Sequence, residues 1–299
     1  MTAPPRRAVV VACIALLCLV WSTTWWAIRA GLHDLRPWTA AAARFVLAGL
    51  AMIPLAAALR GREAGTAPPW WLWLSVGATS FAGSYGIVYA TETTVPSGIA
   101  AVLWAVFPAL MAVAGHFVLG ERLTPRRVLG MLVALGGIVL LAWFGELGGT
   151  GDVARRDALL LLLSPLVSAV GTTLVKRFGG GHSSLLLNRN AMLAGAAMLA
   201  IAAAVLERDR PSDWTAAAVG SVVFLALIGT CLTFGVYYWL MRWAPASDLA
   251  LVSYVTPVLA LLLGWLLGDH SLDRATLAGS ALVVAGVALV LNRGGAARR

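Results

Sequence analysis

Two prolines, Pro108 and Pro257, sit near the middle of apolar runs long enough to span a membrane. Each lacks the amide that would bond the carbonyl four residues back, that of Trp104 in one run and Ser253 in the other. A carbonyl left open at mid-membrane depth is costly against lipid and useful in a wet cavity. The side chains around the prolines, Trp104, Phe107, Ser253, Tyr254 and Thr256, carry rings and hydroxyls, so the chemistry on offer is recognition of a solute and not bond making. A lone membrane proline more often marks a kink absorbed by neighbouring helices. Here the pair stands at equivalent places of a repeat, which makes Pro108, Pro257 and the five residues beside them candidates for a binding cavity.

A second group is polar for its setting. Trp21, Ser22, Thr23 and Thr24, followed by Trp25 and Trp26, close the first apolar run, and Thr172 and Thr173 occupy the equivalent place in the second half. The tryptophans suit an interfacial belt, whereas the small hydroxyl residues allow helices to approach and bond across an interface. With Tyr85, Tyr89 and Tyr238 they are candidate gates, ordinary helix packing being the alternative. Ionisable groups inside apolar runs are functional candidates by default. His116 titrates near neutral pH when unperturbed and, with Glu92 at a helix end, is a candidate for proton coupling. Arg44 and Arg189 fit snorkelling or pairing with a carboxylate. Cys13, Cys18 and Cys231 have no metal-ligand spacing, and no catalytic, nucleotide or cofactor motif occurs, so neither enzyme chemistry nor a metal or cofactor is expected.

These residues require elements that cross a bilayer. Hydrophobic residues make up 60% of the 299 and charged ones 12%, with a mean hydropathy of +0.86, where a soluble domain carries roughly a quarter charged residues. The net charge of +9 would suit nucleic acid in a soluble protein; here the arginines fall in short loops between apolar runs, and no nucleic-acid partner is expected. Ten runs begin near Ala8, Pro37, Pro69, Gly98, Arg127, Ala158, Ser183, Thr215, Asp248 and Ala275, each near the roughly 17 to 25 residues a spanning helix needs. Arg6 and Arg7 ahead of the first run resemble the start of a signal peptide, but nine further runs and no small-residue cleavage site favour a retained helix.

The offset of 149 residues between the prolines also carries Val95, Pro96 and Ser97 onto Ala244, Pro245 and Ala246, and Gly86 and Tyr89 onto Gly235 and Tyr238. The expectation is an all-α integral membrane protein of ten transmembrane helices in two five-helix repeats, 1–149 and 150–299. Five is odd, so the second copy enters the membrane upside down, the inverted arrangement of many secondary transporters. With the N-terminus inside, thirteen basic residues fall on the cytoplasmic side against seven outside, which places both termini in the cytoplasm. Gly130 with Gly137 and Gly279 with Gly286 each line one helix face as packing seams. Their spacing leaves open whether the fifth and tenth helices meet within one chain or across a homodimer.

The stretch from Tyr89 to Leu141 carries Val95, Pro96, Phe107 and Pro108, then Gly120, Glu121, Arg122, Leu123, Thr124 and Pro125 before a glycine-punctuated helix. It resembles the EamA-type family of the drug/metabolite transporter superfamily, as do the run Trp21 to Trp25 and the triplet Ala43, Arg44, Phe45. The resemblance covers the chain twice over. It implies ten helices in two inverted repeats and export or exchange of a small metabolite, such as an amino acid, across the cytoplasmic membrane without ATP. Ser22 stands where the family often has glycine, and Gly268, Asp269 and His270 replace a clean Gly-Glu pair. Aromatic and hydroxyl residues with little charge favour a neutral or zwitterionic small-molecule substrate, with membrane lipid as the other partner. A drug or sugar-phosphate transporter of the same superfamily, and a membrane sensor or scaffold, are the alternatives.

Overall fold

The structure, a computed structural model, describes residues 6–59, 65–120, 123–144, 152–209, 211–243 and 246–291; the side chains of 142, 238–239, 241–243, 246–251 and 254 lie outside that description. Nearly all of it is helical. In chain order come α1 (Arg7–Gly31), α2 (Pro37–Leu59), α3 (Trp70–Val76), a π-helical stretch (Gly77–Gly83), α4 (Ser84–Thr91), α5 (Ser97–Trp104), α6 (Phe107–Leu119) and α7 (Pro125–Phe144). Then follow α8 (Asp152–Leu161), α9 (Leu163–Phe178), α10 (Ser184–Leu206), α11 (Ala216–Val223), a second π-helical stretch (Phe224–Leu232), α12 (Thr233–Trp243), α13 (Ala246–Leu266) and α14 (Arg274–Leu291). Among the described residues there is no strand, only an isolated bridge between Thr66 and His182.

Lipid offers the backbone no hydrogen bonds, so apolar runs of this length satisfy their own amides as helices. Among the described residues seven runs are long and apolar enough to cross a membrane: Arg7–Gly31, Pro37–Leu59, Ser97–Leu119, Asp152–Phe178, Ser184–Leu206, Ala216–Tyr237 and Arg274–Leu291. The runs expected to start near Pro69, Arg127 and Asp248 are helical too, from Trp70, Pro125 and Ala246. Polar side chains fix the ends. Ser183 and Thr215 accept the amides of Leu186 and Ala218 at 3.2 and 3.1 Å, and the Glu207 carboxylate accepts those of Trp38 and Thr39 at the start of α2. Gly120 closes α6 at φ 71°, a left-handed conformation that suits glycine.

The two prolines behave differently. Helix ends at Trp104 and restarts at Phe107, with Pro108 in the first turn of α6, where a missing amide goes unnoticed. Pro257 lies inside α13, which runs on past it.

By their contacts the described residues form two compact units, each drawing on both halves of the sequence. One takes those up to Trp26, those of Val95–Ala158 and those from Thr233 onward. Its seam is α7 on α14: a Cβ added at Gly130 would stand 2.6 Å from the Gly286 carbonyl oxygen, and one at Gly137 2.6 Å from that of Gly279. The glycine faces therefore meet each other within one chain. Ile14, Leu17 and Cys18 of α1 pack with Leu240 and Val252 in the same unit.

The other unit takes Ala27–Thr94 and Leu159–Leu232. Here α10 packs on α2, where a Cβ at Gly49 would meet the Leu193 side chain at 2.7 Å, and on the first π-helical stretch, where one at Gly77 would meet the Ala191 carbonyl oxygen at 2.8 Å. The repeat offset carries this stretch onto 226–232, inside the second π-helical stretch. Single-turn π insertions inside α-helices are frequent at functional sites.

Candidate functional site

In the first unit, α5 is held on α13 end to end. The Ser97 amide donates to the Asp269 carboxylate at 2.6 Å, and a Cβ at Gly98 would stand 2.8 Å from Cα of Leu261. Because α13 ends beside the start of α5, the two run antiparallel, and at 1.5 Å per residue Trp104 comes level with the turn that holds Ser253 to Pro257. The Trp104 ring stacks on Phe107 with centroids 5.0 Å apart and planes at 17°, and Trp25 lies 6.4 Å from it. All three rings are half-buried, as are Pro108, Ser253 and Thr256, while Pro257 is buried.

The first helix joins this group through Ser22. Its hydroxyl is fully buried and is shared between the carbonyls of Cys18, at 2.5 Å, and Thr256, at 3.1 Å. The Thr256 hydroxyl itself is buried without a partner. Trp21 donates its indole N–H to the Thr233 hydroxyl at 3.1 Å and packs on Phe234 and Tyr237. Thr23 and Thr24 instead bond back to the carbonyls of Val20 and Trp21 in their own helix. The side chains of Tyr238 and Tyr254 lie outside the described residues. His116 is exposed in the last turn of α6, edge-on to Phe117.

The second unit holds the polar group that sequence reasoning noted and did not assemble. Arg44 of α2 is buried, at 2% exposure. Its Nε and Nη2 donate to the Thr230 hydroxyl at 3.3 and 3.2 Å, and its Cζ lies 4.8 Å from the Tyr85 ring centre and 5.2 Å from that of Phe45. Thr230 sits in the second π-helical stretch, and its hydroxyl donates to the Leu225 carbonyl, five residues back, at 2.8 Å. Tyr89 and Glu92, both buried, are within electrostatic reach of Arg44. Arg29 donates to the backbone carbonyl of Glu92. Thus Tyr85, Tyr89 and Glu92 gather around one cation. Thr172 bonds back to the Ser168 carbonyl on α9, Thr173 is buried on the same helix, and Gly171 presses against the Thr79 and Ser80 hydroxyls.

Thr230 was missed. A charge in an apolar run is a visible signal, but nothing in the sequence ties Arg44 to a threonine 186 residues away.

Apolar helices carrying few, enclosed polar groups define a multi-pass membrane protein. The sequence model of the EamA-like transporter family matches residues 8–143 and again 156–292, and the chain belongs to that family. Members are transporters and not enzymes. It is 25% identical over 275 residues to the uncharacterized transporter YoaV of Bacillus subtilis, covering 92% of this chain and 94% of that protein. It is 28% identical over 275 residues to the uncharacterized inner membrane transporter YedA of Escherichia coli, covering 92% and 88%. A crystal structure of another protein superposes with a TM-score of 0.67 at 24% identity, over 95% of this chain and 97% of that one, a likeness of fold alone.

Proposed function

We propose that the protein is a secondary transporter that exports or exchanges a small neutral or zwitterionic metabolite, an amino acid or similar solute, across the cytoplasmic membrane. The observation that carries this reading is the half-buried aromatic pair at the break between α5 and α6, where Trp104 and Phe107 stack with centroids 5.0 Å apart. Rings with a few hydroxyls hold a solute of modest polarity without binding it too tightly to release. YedA, a relative, is described as an inner membrane transporter, which supports the same membrane here.

Ten spans in two inverted five-helix repeats, 1–149 and 150–299, with both termini cytoplasmic, supply the mechanism: each copy adopts the conformation of the other, and the solute path opens alternately to either side. Trp21, Ser22, Thr23, Thr24, Thr172 and Thr173 serve as gates in this scheme. Of the two candidate coupling groups, Glu92 is enclosed and His116 is exposed, which favours Glu92. The test is release of amino acids from cells fed dipeptides. Expression should raise the external concentration of at least one amino acid above that of cells producing Trp104→Ala at equal protein level; equal release from both contradicts export.

A further inference from the structure

In the second unit, α9 carries an exposed apolar stripe that ends in a cation. Leu163, Leu166, Val170 and Phe178 are exposed and stand three, four and eight residues apart, so they share one face of the helix. Arg177, seven residues after Val170, lies on that face too. Its Cζ is 5.5 Å from the Phe178 ring centre, and the Phe178 ring stands edge-on to that of Trp71 on α3, with centroids 5.2 Å apart and planes at 82°. Trp70 and Trp71 are exposed as well. Tryptophans at one helix start and an arginine at the neighbouring helix end are the residues that settle at the head-group level of a bilayer. From Leu163 to Arg177 the stripe runs about 21 Å at 1.5 Å per residue, enough to span the roughly 15 Å of hydrocarbon in one leaflet.

Charge decides which lipid the stripe suits. Residues 65–91 and 159–206 hold no Asp or Glu, and their cations are Lys176, Arg177 and Arg189. The loop 60–64, outside the described residues, adds Arg60 and Arg62 against Glu63. A guanidinium beside a ring keeps N–H groups at its edge, and these match two oxygens of a phosphodiester. We propose that the end of α9, with Trp71 of α3, is a binding site for an anionic phospholipid. Its phosphodiester sits on Arg177, Lys176 adds positive charge, and an acyl chain lies along Leu163, Leu166, Val170 and Phe178. A zwitterionic lipid meets the same apolar stripe, but its own cation opposes Lys176 and Arg177, so a head group of net negative charge is preferred. The site lies within one unit and does not depend on which solute is moved.

The test uses the full chain purified in detergent, with phosphatidylglycerol, phosphatidylcholine of the same acyl chains, and inorganic phosphate as probes. Thermal midpoint and lipid retained in native mass spectra are read for three proteins: wild type, Lys176→Gln with Arg177→Gln, and Arg126→Gln with Arg127→Gln, which removes two cations from the start of α7 instead. Phosphatidylglycerol should stabilise the wild type and be retained at concentrations at least about tenfold below those phosphatidylcholine needs. The first variant should lose that preference and the second should keep it. A further measurement needs no charge variant: phosphatidylglycerol brominated on its acyl chain should quench the tryptophan emission that Trp71→Phe removes, and do so more strongly than brominated phosphatidylcholine. Equal retention of the two lipids, an unchanged preference in the first variant, or the same loss in both variants overturns the site. Equal quenching by the two brominated lipids overturns it, and so does stabilisation by inorganic phosphate to the same extent, which would mark a site for a free anion.

Discussion

The hydroxyl of Ser22 on α1 donates to the backbone carbonyl of Thr256 on α13 at 3.1 Å, joining the first helix to the residue just before Pro257. The carbonyl that Pro257 deprives of an amide is that of Ser253, so the bond from Ser22 ties a second carbonyl of the same turn to another helix.

Replacing Ser22 by alanine removes this link and one buried donor. A single hydrogen bond between membrane helices is worth about 0.6 kcal/mol, so Ser22→Ala should lower the thermal midpoint by roughly 2 °C. A fall of ten degrees or more, read by tryptophan fluorescence in detergent, would show that Ser22 holds more of the fold than this one contact.

Trp104 is half-buried and stacked on Phe107. Trp104→Ala should cut flux at least tenfold, equivalent to about 1.4 kcal/mol of lost solute contact, with a smaller effect on the thermal midpoint than a core tryptophan would have. Normal flux at a normal midpoint removes Trp104 from the path.

Gly137 faces the Gly279 carbonyl, while Gly136 has open space beside it. Gly137→Leu must force α7 from α14, an overpacking penalty of typically about 1–3 kcal/mol, and Gly136→Leu should be silent. Equal midpoints for the two variants would refute the seam.

Much of this fold is legible in the chain, for physical reasons that also mark where reading stops. Apolar runs bounded by Ser183, Thr215, Gly120 and Pro125 announce their helices because lipid leaves no other solution. Gly130 and Gly137 show a face to be packed but not its partner, since any close backbone would serve. Pro108 breaks its run and Pro257 does not, a difference set by what surrounds each and not by the residue itself. The π-helical stretches were unreadable because they depend on packing, as of Gly77 against α10. Arg44 was visible as a charge in an apolar run; the ring of Tyr85, Tyr89, Thr230 and Glu92 around it exists only after folding.

Proton coupling needs a titrating group shielded from both bulk phases. Glu92 is 0% exposed, and His116 is exposed at a helix end. Glu92→Gln should flatten the response of flux to an imposed pH gradient, and His116→Gln should keep it. The reverse pattern returns the role to His116, and a wild type indifferent to the gradient makes the protein an exchanger or uniporter.

A secondary transporter moves its metabolite without nucleotide hydrolysis. Counterflow in ATP-free proteoliposomes measures it most directly: vesicles loaded with one unlabelled amino acid or related small metabolite at a time are diluted into the labelled compound. Label should accumulate transiently for at least one of them, with none in empty vesicles and strongly reduced accumulation with Trp104→Ala. Solute binding to the purified protein with no accumulation for any of them would contradict it and leave a membrane sensor in its place.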